Sequence, residues 1–382
     1  MRAAERLCFA RADVIFVLNR VSGLPCFRFW VMSPACIQPG VLMLKFLSVT
    51  CGLFLSLASL ACSADAVGFR DAELDGTRPL HVAIWYPAAG GGDATVVGEN
   101  PAFFGVPAIR DAAPGAGEHP LVVLSHGYRG SWRNLNWLAG SLAEKGYIVA
   151  APDHPGTTTF DTAPEQAARL WERPHDLSRV IDALIADPGL GGRVDEGRIS
   201  AIGHSLGGWT VAALAGARFD ADRFEADCRA HPNPRVCGLS AELGLQRPEL
   251  DTDMGDPRLG AFVSLDLGMA RGFTPKSLAV LDIPALVIGA GTDIGDLPAA
   301  LESGYLAEYL PAASTTYVEI PDAMHFSFMQ LCKPGAAALI EEEAPGEGIV
   351  CKDGGARGRE DIHREVLVLV ESFLDTAIPA AP

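Results

Sequence analysis

Ser205 stands between Gly203 and Gly207 in "ISAIGHSLGGWTVAALAG", residues 199 to 216, where a buried-strand pattern gives way to an alanine-rich helical one. The chemistry open to a serine at such a junction is nucleophilic. A tight strand-to-helix turn forces its central residue into a strained backbone conformation, and glycines two positions away on each side keep side chains out of the turn. The hydroxyl is lifted clear of the sheet, and the N–H of Leu206 comes to lie at a helix N-terminus. G-x-S-x-G on its own recurs by chance in a chain with 41 glycines. The strand before it and the helix after it give the motif its meaning.

A serine hydroxyl is a poor nucleophile at neutral pH and needs an adjacent base, itself oriented by a third group. The chain has nine histidines. His325, just past the strand-like run "TTYVEIPDAM", is the one that follows nucleophile and acid near the C-terminus, as the base must in a parallel sheet of this kind. His363 falls inside the closing helical pattern and is expected at the surface. His204, beside the nucleophile, points to the opposite face as a packed, hydrogen-bonded side chain. His154, at the end of an earlier strand, is a candidate for lining the site. For the acid, Asp293 at the end of "ALVIGAGTD" is favoured, with Asp266 in "FVSLDLG" one strand earlier as the alternative; Asp296 reads as the cap of the helix that follows it. A developing oxyanion needs two preorganised donors. The backbone N–H of Leu206 supplies one and that of Tyr128, after His126-Gly127, the other. Trp132 and Tyr128 offer aromatic surface beside that loop, and Arg129 offers a charge for a substrate carboxylate.

These residues need a scaffold of alternating strands and helices. Strand-like runs occur at 81–87, 120–127, 147–156, 199–205, 261–268, 285–293 and 315–325, with helical patterns at 136–146, 174–187, 298–310 and 359–377. Such alternation means a mostly parallel central sheet covered by helices on both faces, with sites gathered at the carboxyl ends of its strands. Residues 217–259, charged and proline-bearing, break the rhythm and read as a small cap insertion.

With 382 residues and 49% hydrophobic side chains, the chain can bury a large core. Its net charge of −17 argues against nucleic acid and anionic membrane surfaces as partners. Residues 43–66 have the basic start, short apolar run and Ala64-Asp65-Ala66 ending of a secretory signal peptide, leaving 1–42 as an extension from a start codon called too early and 67–382 as one domain. Lipidation at Cys62 is a lesser reading, since Ser59 stands where a lipoprotein site has leucine. Beyond the leader remain Cys228, Cys237, Cys332 and Cys351. Four cysteines in an exported chain allow three disulfide connectivities, of which Cys228–Cys237 with Cys332–Cys351 closes the shortest loops. No C-x-x-C or histidine cluster marks a metal site.

The blocks "LSHGYRGSWRNLNWLAGSLAEKGYIVAAPDHPG", "GHSLGG", "ALVIGAGTD" and "YVEIPDAMHFSF" together resemble the dienelactone hydrolase-like and platelet-activating-factor acetylhydrolase-like branch of the α/β-hydrolases. The first and last blocks are also similar to bacterial cutinases. The resemblance implies an α/β-hydrolase fold and a triad of Ser205, Asp293 and His325, with Tyr128 and Leu206 as donors. The acetylhydrolases place the acid on the earlier strand, which matches Asp266; dienelactone hydrolases proper use cysteine where Ser205 stands. The expectation is an exported serine esterase for a small-molecule ester, without metal or organic cofactor and without stable membrane association. A peptidase on the same triad, a polyester hydrolase and a catalytically silent binding module are the alternatives.

Overall fold

Runs such as "PLVVL" and "ALVIGA" carry no polar side chain because both faces of their strands are covered. In β5 (Glu118–Ser125), Leu121 and Val123 point into one hydrophobic core, and Val122 and Leu124 into a second on the other side of the sheet. The computed structural model describes residues 66–233, 235–295 and 298–380. The expected leader up to residue 65, the extension before it and Asp296 lie outside them.

Among the described residues one sheet runs through the protein in the order β10-β9-β8-β7-β5-β6-β2-β1-β4-β3. Its strands are β1 (Val67–Leu74), β2 (Leu80–Pro87), β3 (Thr95–Val97), β4 (Val106–Arg110), β5, β6 (Ile148–Pro152), β7 (Arg193–His204), β8 (Leu259–Leu265), β9 (Ala285–Ala290) and β10 (Thr315–Ile320). The six from β10 to β6 pair in parallel, so their carboxyl ends share one edge. β2 turns antiparallel to β6, and β1 antiparallel to β2. This is the α/β-hydrolase architecture.

Helices α1 (Asn136–Ala143), α2 (Glu172–Ala186), α3 (Leu206–Leu214), α4 (Ala221–Ala230) and α5 (Arg359–Ala377) pack on the two faces. In α5 the buried side chains Ile362, Val366, Val370 and Leu374 recur every four residues, one stripe of an amphipathic helix laid on the core shared with α1. α3 differs: every residue from Leu206 to Leu214 is buried, so it lies inside the core beside α2. Residues 217–259 contribute Phe224, Leu243, Leu245 and Leu250 to that same core. Cys228 is bonded to Cys237 and Cys332 to Cys351, the short-loop pairing. No helix among the described residues is long and apolar enough to cross a membrane.

His363 is not at the surface as expected. It is 6% exposed, its ring stacks on Trp137 at 3.7 Å, and its Nε2 lies 3.0 and 2.9 Å from the Ser327 and Met329 carbonyls. It anchors α5 beneath the loop that carries His325. The helical period places it one residue from the apolar stripe, and Trp137 covers it from α1. Trp132 is likewise drawn inward, 5.5 Å from Trp85 and 5.6 Å from Phe69, and offers no surface to a ligand.

Burial pushes His363 down to about 3, and holds His126, His154 and His204 well below the usual imidazole range. An unfolded chain protonates these rings near 6.5, before the folded one does. Their contribution to stability is therefore complete above 6.5 and is lost as pH falls from there towards the folded values. Glu302, pushed up to about 7 by burial, acts in the opposite sense between about 4.5 and 7. We expect the Tm to fall from pH 7 to pH 4, and His363→Gln, whose amide can still donate to the two carbonyls, to lessen that fall. Identical pH slopes for the two proteins in differential scanning fluorimetry would contradict this account.

Candidate active site

Backbone geometry comes first. Ser205 has φ 58° and ψ −121°, a conformation that costs an L-residue on the order of 1–3 kcal/mol. Gly203 and Gly207 permit it: a Cβ on Gly203 would lie 2.0 Å from the Gly207 carbonyl oxygen, and one on Gly207 1.9 Å from that of Ser125. The turn thus presses the first turn of α3 onto the ends of β7 and β5. The Ser205 N–H donates to the Leu265 carbonyl at 3.0 Å, which fixes the serine to the tip of β8.

His325 opens a short turn after β10, and its ring bridges two side chains. Nε2 lies 2.9 Å from Ser205 Oγ, and Nδ1 lies 2.7 Å from Asp266 Oδ2. Asp266 follows β8 directly and has φ 46°. Its other oxygen accepts the Ala290 N–H at 2.8 Å, and its own N–H donates to the Ile288 carbonyl at 2.7 Å. The carboxylate is therefore held by the neighbouring strand β9 and is 2% exposed.

The carboxylate that meets the imidazole is thus that of Asp266, and the preference for Asp293 is corrected. β8 is the immediate neighbour of β7, whereas β9 is one strand farther out. Asp293 also lies three residues past the end of β9, on an exposed turn where its Oδ1 accepts the Gly295 N–H at 2.9 Å.

His204 is buried and donates from Nε2 to the His325 carbonyl at 2.8 Å, so it steadies the His325 backbone from below. His154 does not line the site. It is fully buried, between Ser125 and Asp176. Arg129 is turned outward, with its guanidinium over the Tyr128 ring and 3.7 Å from Glu242.

Beside Ser205 and His325 is a pocket of about 100 Å³ lined by Tyr128, Leu206, Arg235, Val236, Leu239, Met269 and Phe326. The sequence reading passed over the last five of these. Val236 and Leu239 flank Cys237, and the disulfide to Cys228 was the signal that this stretch is held in place. The Tyr128 hydroxyl donates to Glu242, tying the Tyr128 loop to residues 217–259. Burial, reinforced by that carboxylate, pushes the phenol up to about 12, so it stays a donor. A larger cavity of about 280 Å³ lies between α1 and α5, near Trp137 and His363. It lacks a serine paired with a histidine: the Ser141 hydroxyl there donates to the Trp137 carbonyl. No group of three or more His, Cys, Asp or Glu among the described residues is placed to hold a metal.

A family described as PETase, PET hydrolase-like, matches residues 86–223. Cutinase 2 of Thermobifida cellulosilytica is 33% identical over 213 residues, covering 54% of this chain and 60% of that protein. Cutinase cut1 of Thermobifida fusca is 33% identical over the same length, covering 54% and 49%. A bis(hydroxyethyl) terephthalate hydrolase of Streptomyces coelicolor is 26% identical, covering 55% and 52%. The chain spans about half the length of the curated relatives it matches. A ferulic acid esterase from Streptomyces cinnamoneus superposes with a TM-score of 0.58 at 21% identity, covering 84% of this chain and 92% of that one, and shares the fold.

The strain at residue 205 has a measurable consequence. Glycine meets no penalty at φ 58°, whereas alanine carries the full one. After allowance for the greater freedom of unfolded glycine, Ser205→Gly should be more stable than Ser205→Ala by about 1 kcal/mol. Urea unfolding of the two variants measures the difference; an alanine variant as stable as the glycine one would mean that the turn is relaxed.

Proposed function

We propose that this chain, an α/β-hydrolase similar to bacterial cutinases, is an exported serine hydrolase that cleaves small carboxylic esters through an acyl-serine intermediate. The observation that carries the reading is the continuous hydrogen-bonded line from Ser205 Oγ through the His325 ring to Asp266, at 2.9 and 2.7 Å. Such a line does one thing well. As Ser205 Oγ bonds to the ester carbonyl carbon, its proton passes to His325 Nε2, and Asp266 stabilises the resulting imidazolium and holds the ring in the tautomer that can accept it. The carbonyl oxygen, now an oxyanion, is met by the backbone N–H groups of Leu206 and Tyr128. The tetrahedral centre collapses, the C–O bond to the alcohol breaks, and His325 returns the proton to that oxygen. Water, deprotonated by the same imidazole, then attacks the acyl-enzyme and releases the acid and Ser205.

Size argues for a small substrate. The pocket is about 100 Å³, and its wall is formed in part by Val236 and Leu239, from a segment held by the Cys228–Cys237 bond. A polyester chain needs an open groove, which this wall narrows; the family description, PET hydrolase-like, points towards a polymer ester, whereas one relative is named for a small terephthalate diester. Both disulfides suit an oxidising compartment, in keeping with the apolar leader at 43–66.

A fluorophosphonate probe should label Ser205 and no other residue. Ser205→Ala and His325→Ala should each lower kcat on p-nitrophenyl butyrate by roughly 10⁴–10⁶. Asp266→Asn should lose about 10³–10⁴ by favouring the wrong imidazole tautomer, while Asp293→Asn stays within a few-fold of the parent. A severe loss in the Asp293 variant with a mild one in the Asp266 variant would transfer the acid to β9. Hydrolysis of a p-nitroanilide at a rate matching the ester would point to a peptidase.

With that pocket, kcat/KM should be greatest for acetyl to hexanoyl esters and decline with longer chains. A chain-length series whose maximum lies at dodecanoyl or beyond would require a long cleft in place of this pocket.

A further inference from the structure

Beneath the strand ends lies a cation that the hydrolytic steps do not use. Arg173, in α2, is 1% exposed. Its Nε donates to Thr210 Oγ1 at 2.9 Å and its Nη1 to Thr157 Oγ1 at 2.6 Å. Its Nη2 donates to Ser125 Oγ at 3.2 Å and also to the His126 carbonyl. Burial pushes the guanidinium down to about 9, still a cation at neutral pH.

Two of those contacts lead to the proposed oxyanion donors. Thr210 Oγ1 donates to the Leu206 carbonyl at 2.9 Å, so the first turn of α3 is tied through Thr210 to Arg173. On the other side, the His126 carbonyl begins the loop that ends in Tyr128. The His126 ring donates from Nδ1 to the Gly127 carbonyl at 2.7 Å, while its Nε2 accepts the His154 N–H at 3.0 Å. Gly130 N–H also donates to the Gly127 carbonyl, at 3.0 Å. A trans peptide points its N–H opposite its C=O, so two donors on the Gly127 oxygen set the direction of the Tyr128 N–H. A Cβ on Gly127 would sit 3.1 Å from Ser205 Cβ, so this loop lies against the nucleophile.

The surroundings of Arg173 hold it still. Ser125 Oγ is 2.9 Å from His154 Nε2, and His154 Nδ1 is 3.0 Å from Asp176 Oδ2. Arg78 closes the chain, with its Nε 3.0 Å from Asp176 Oδ1. The connectivity repeats serine, histidine and aspartate, yet all three are fully buried and no ester can reach them. Burial keeps His154 neutral, so it accepts from Ser125, which leaves the serine oxygen to accept from Arg173. Replacing buried charges by apolar side chains is often neutral for stability, whereas a planar guanidinium fixes the mutual distances of the groups it binds.

We propose that Arg173 is a positioning residue that sets the spacing between the two oxyanion donors, tying the Leu206 turn and the Tyr128 loop to one guanidinium. This rests on the ester-hydrolase reading. Thr210→Val tests it with minimal change of shape: the hydroxyl that joins Arg173 to Leu206 is lost and the branched side chain is kept. In the purified full chain with p-nitrophenyl butyrate, kcat should fall roughly ten- to a hundredfold with KM within about twofold, because donor spacing is felt in the transition state. Affinity for phenylboronic acid, which forms a tetrahedral adduct on the serine, should weaken by a similar factor. Thr210→Ser should recover most of the loss, and Arg173→Lys, which lacks the fork, should resemble Thr210→Val where it folds. A folded Thr210→Val with unchanged kcat, a parallel rise in KM, or a Thr210→Ser as impaired as the valine variant would overturn the proposal. A parent protein that hydrolyses no ester would overturn the hydrolase reading and this proposal together, whereas an active parent with an indifferent Thr210→Val would overturn this one alone.

Discussion

The turn at Ser205 is the constraint from which the rest of the site follows. A backbone at φ 58° and ψ −121° cannot relax without moving either β7 or α3, and both are buried along their length next to the turn. The strain is therefore carried by packing. α3 is buried on every side, with Trp209 inside the ring cluster of Phe219 and Phe273 at 5.7 Å from each, so it cannot swing away to release the turn. The cost is on the order of 1–3 kcal/mol, small against the burial of a helix with no exposed face.

Given that turn, sheet order decides the neighbours of Ser205. β5 on one side brings His126, Gly127 and Tyr128, and β8 on the other brings Asp266. β10, farther out, delivers His325 through a turn that folds back over β8. Each partner arrives at a strand's carboxyl end, and the parallel block places all those ends along one edge. The antiparallel strands β1 and β2 contribute no side chain to the pocket; they cover β6 and extend the sheet.

How far a residue could be read from the sequence depended on how local its determinants are. The strained turn at Ser205, with Leu206 opening the helix, was legible because the glycines that permit it lie within two residues of the serine. That His325 would lie beside Ser205 was legible because it comes after a strong strand pattern late in the chain. The choice between Asp266 and Asp293 was not, since both end apolar runs and only the lateral order of β7, β8 and β9 separates them. Positive φ at Asp266 and Met269 leaves no mark that a short motif records. His363 and Trp132 misled for a related reason: their polar or amphipathic character suggests a surface, and only packing between α5, α1 and the aromatic cluster draws them inside. β1 was missed because it reads as a charged segment, "VGFRDAEL", whose exposed half hides its alternation, and β3 and β4 because three and five residues are too few to show a period. Both disulfides matched the shortest-loop pairing, which needs no tertiary knowledge.

The bond between Cys228 and Cys237 encloses a ring of chain with a sequence separation of nine, and Val236 at its edge reaches the pocket. The bond ties the end of α4, where Cys228 lies, to the stretch that carries Val236, so the helix and the pocket wall are joined covalently. The wall of the pocket and the line of Ser205, His325 and Asp266 thereby rest on different supports, one on a covalent bond and the other on the sheet.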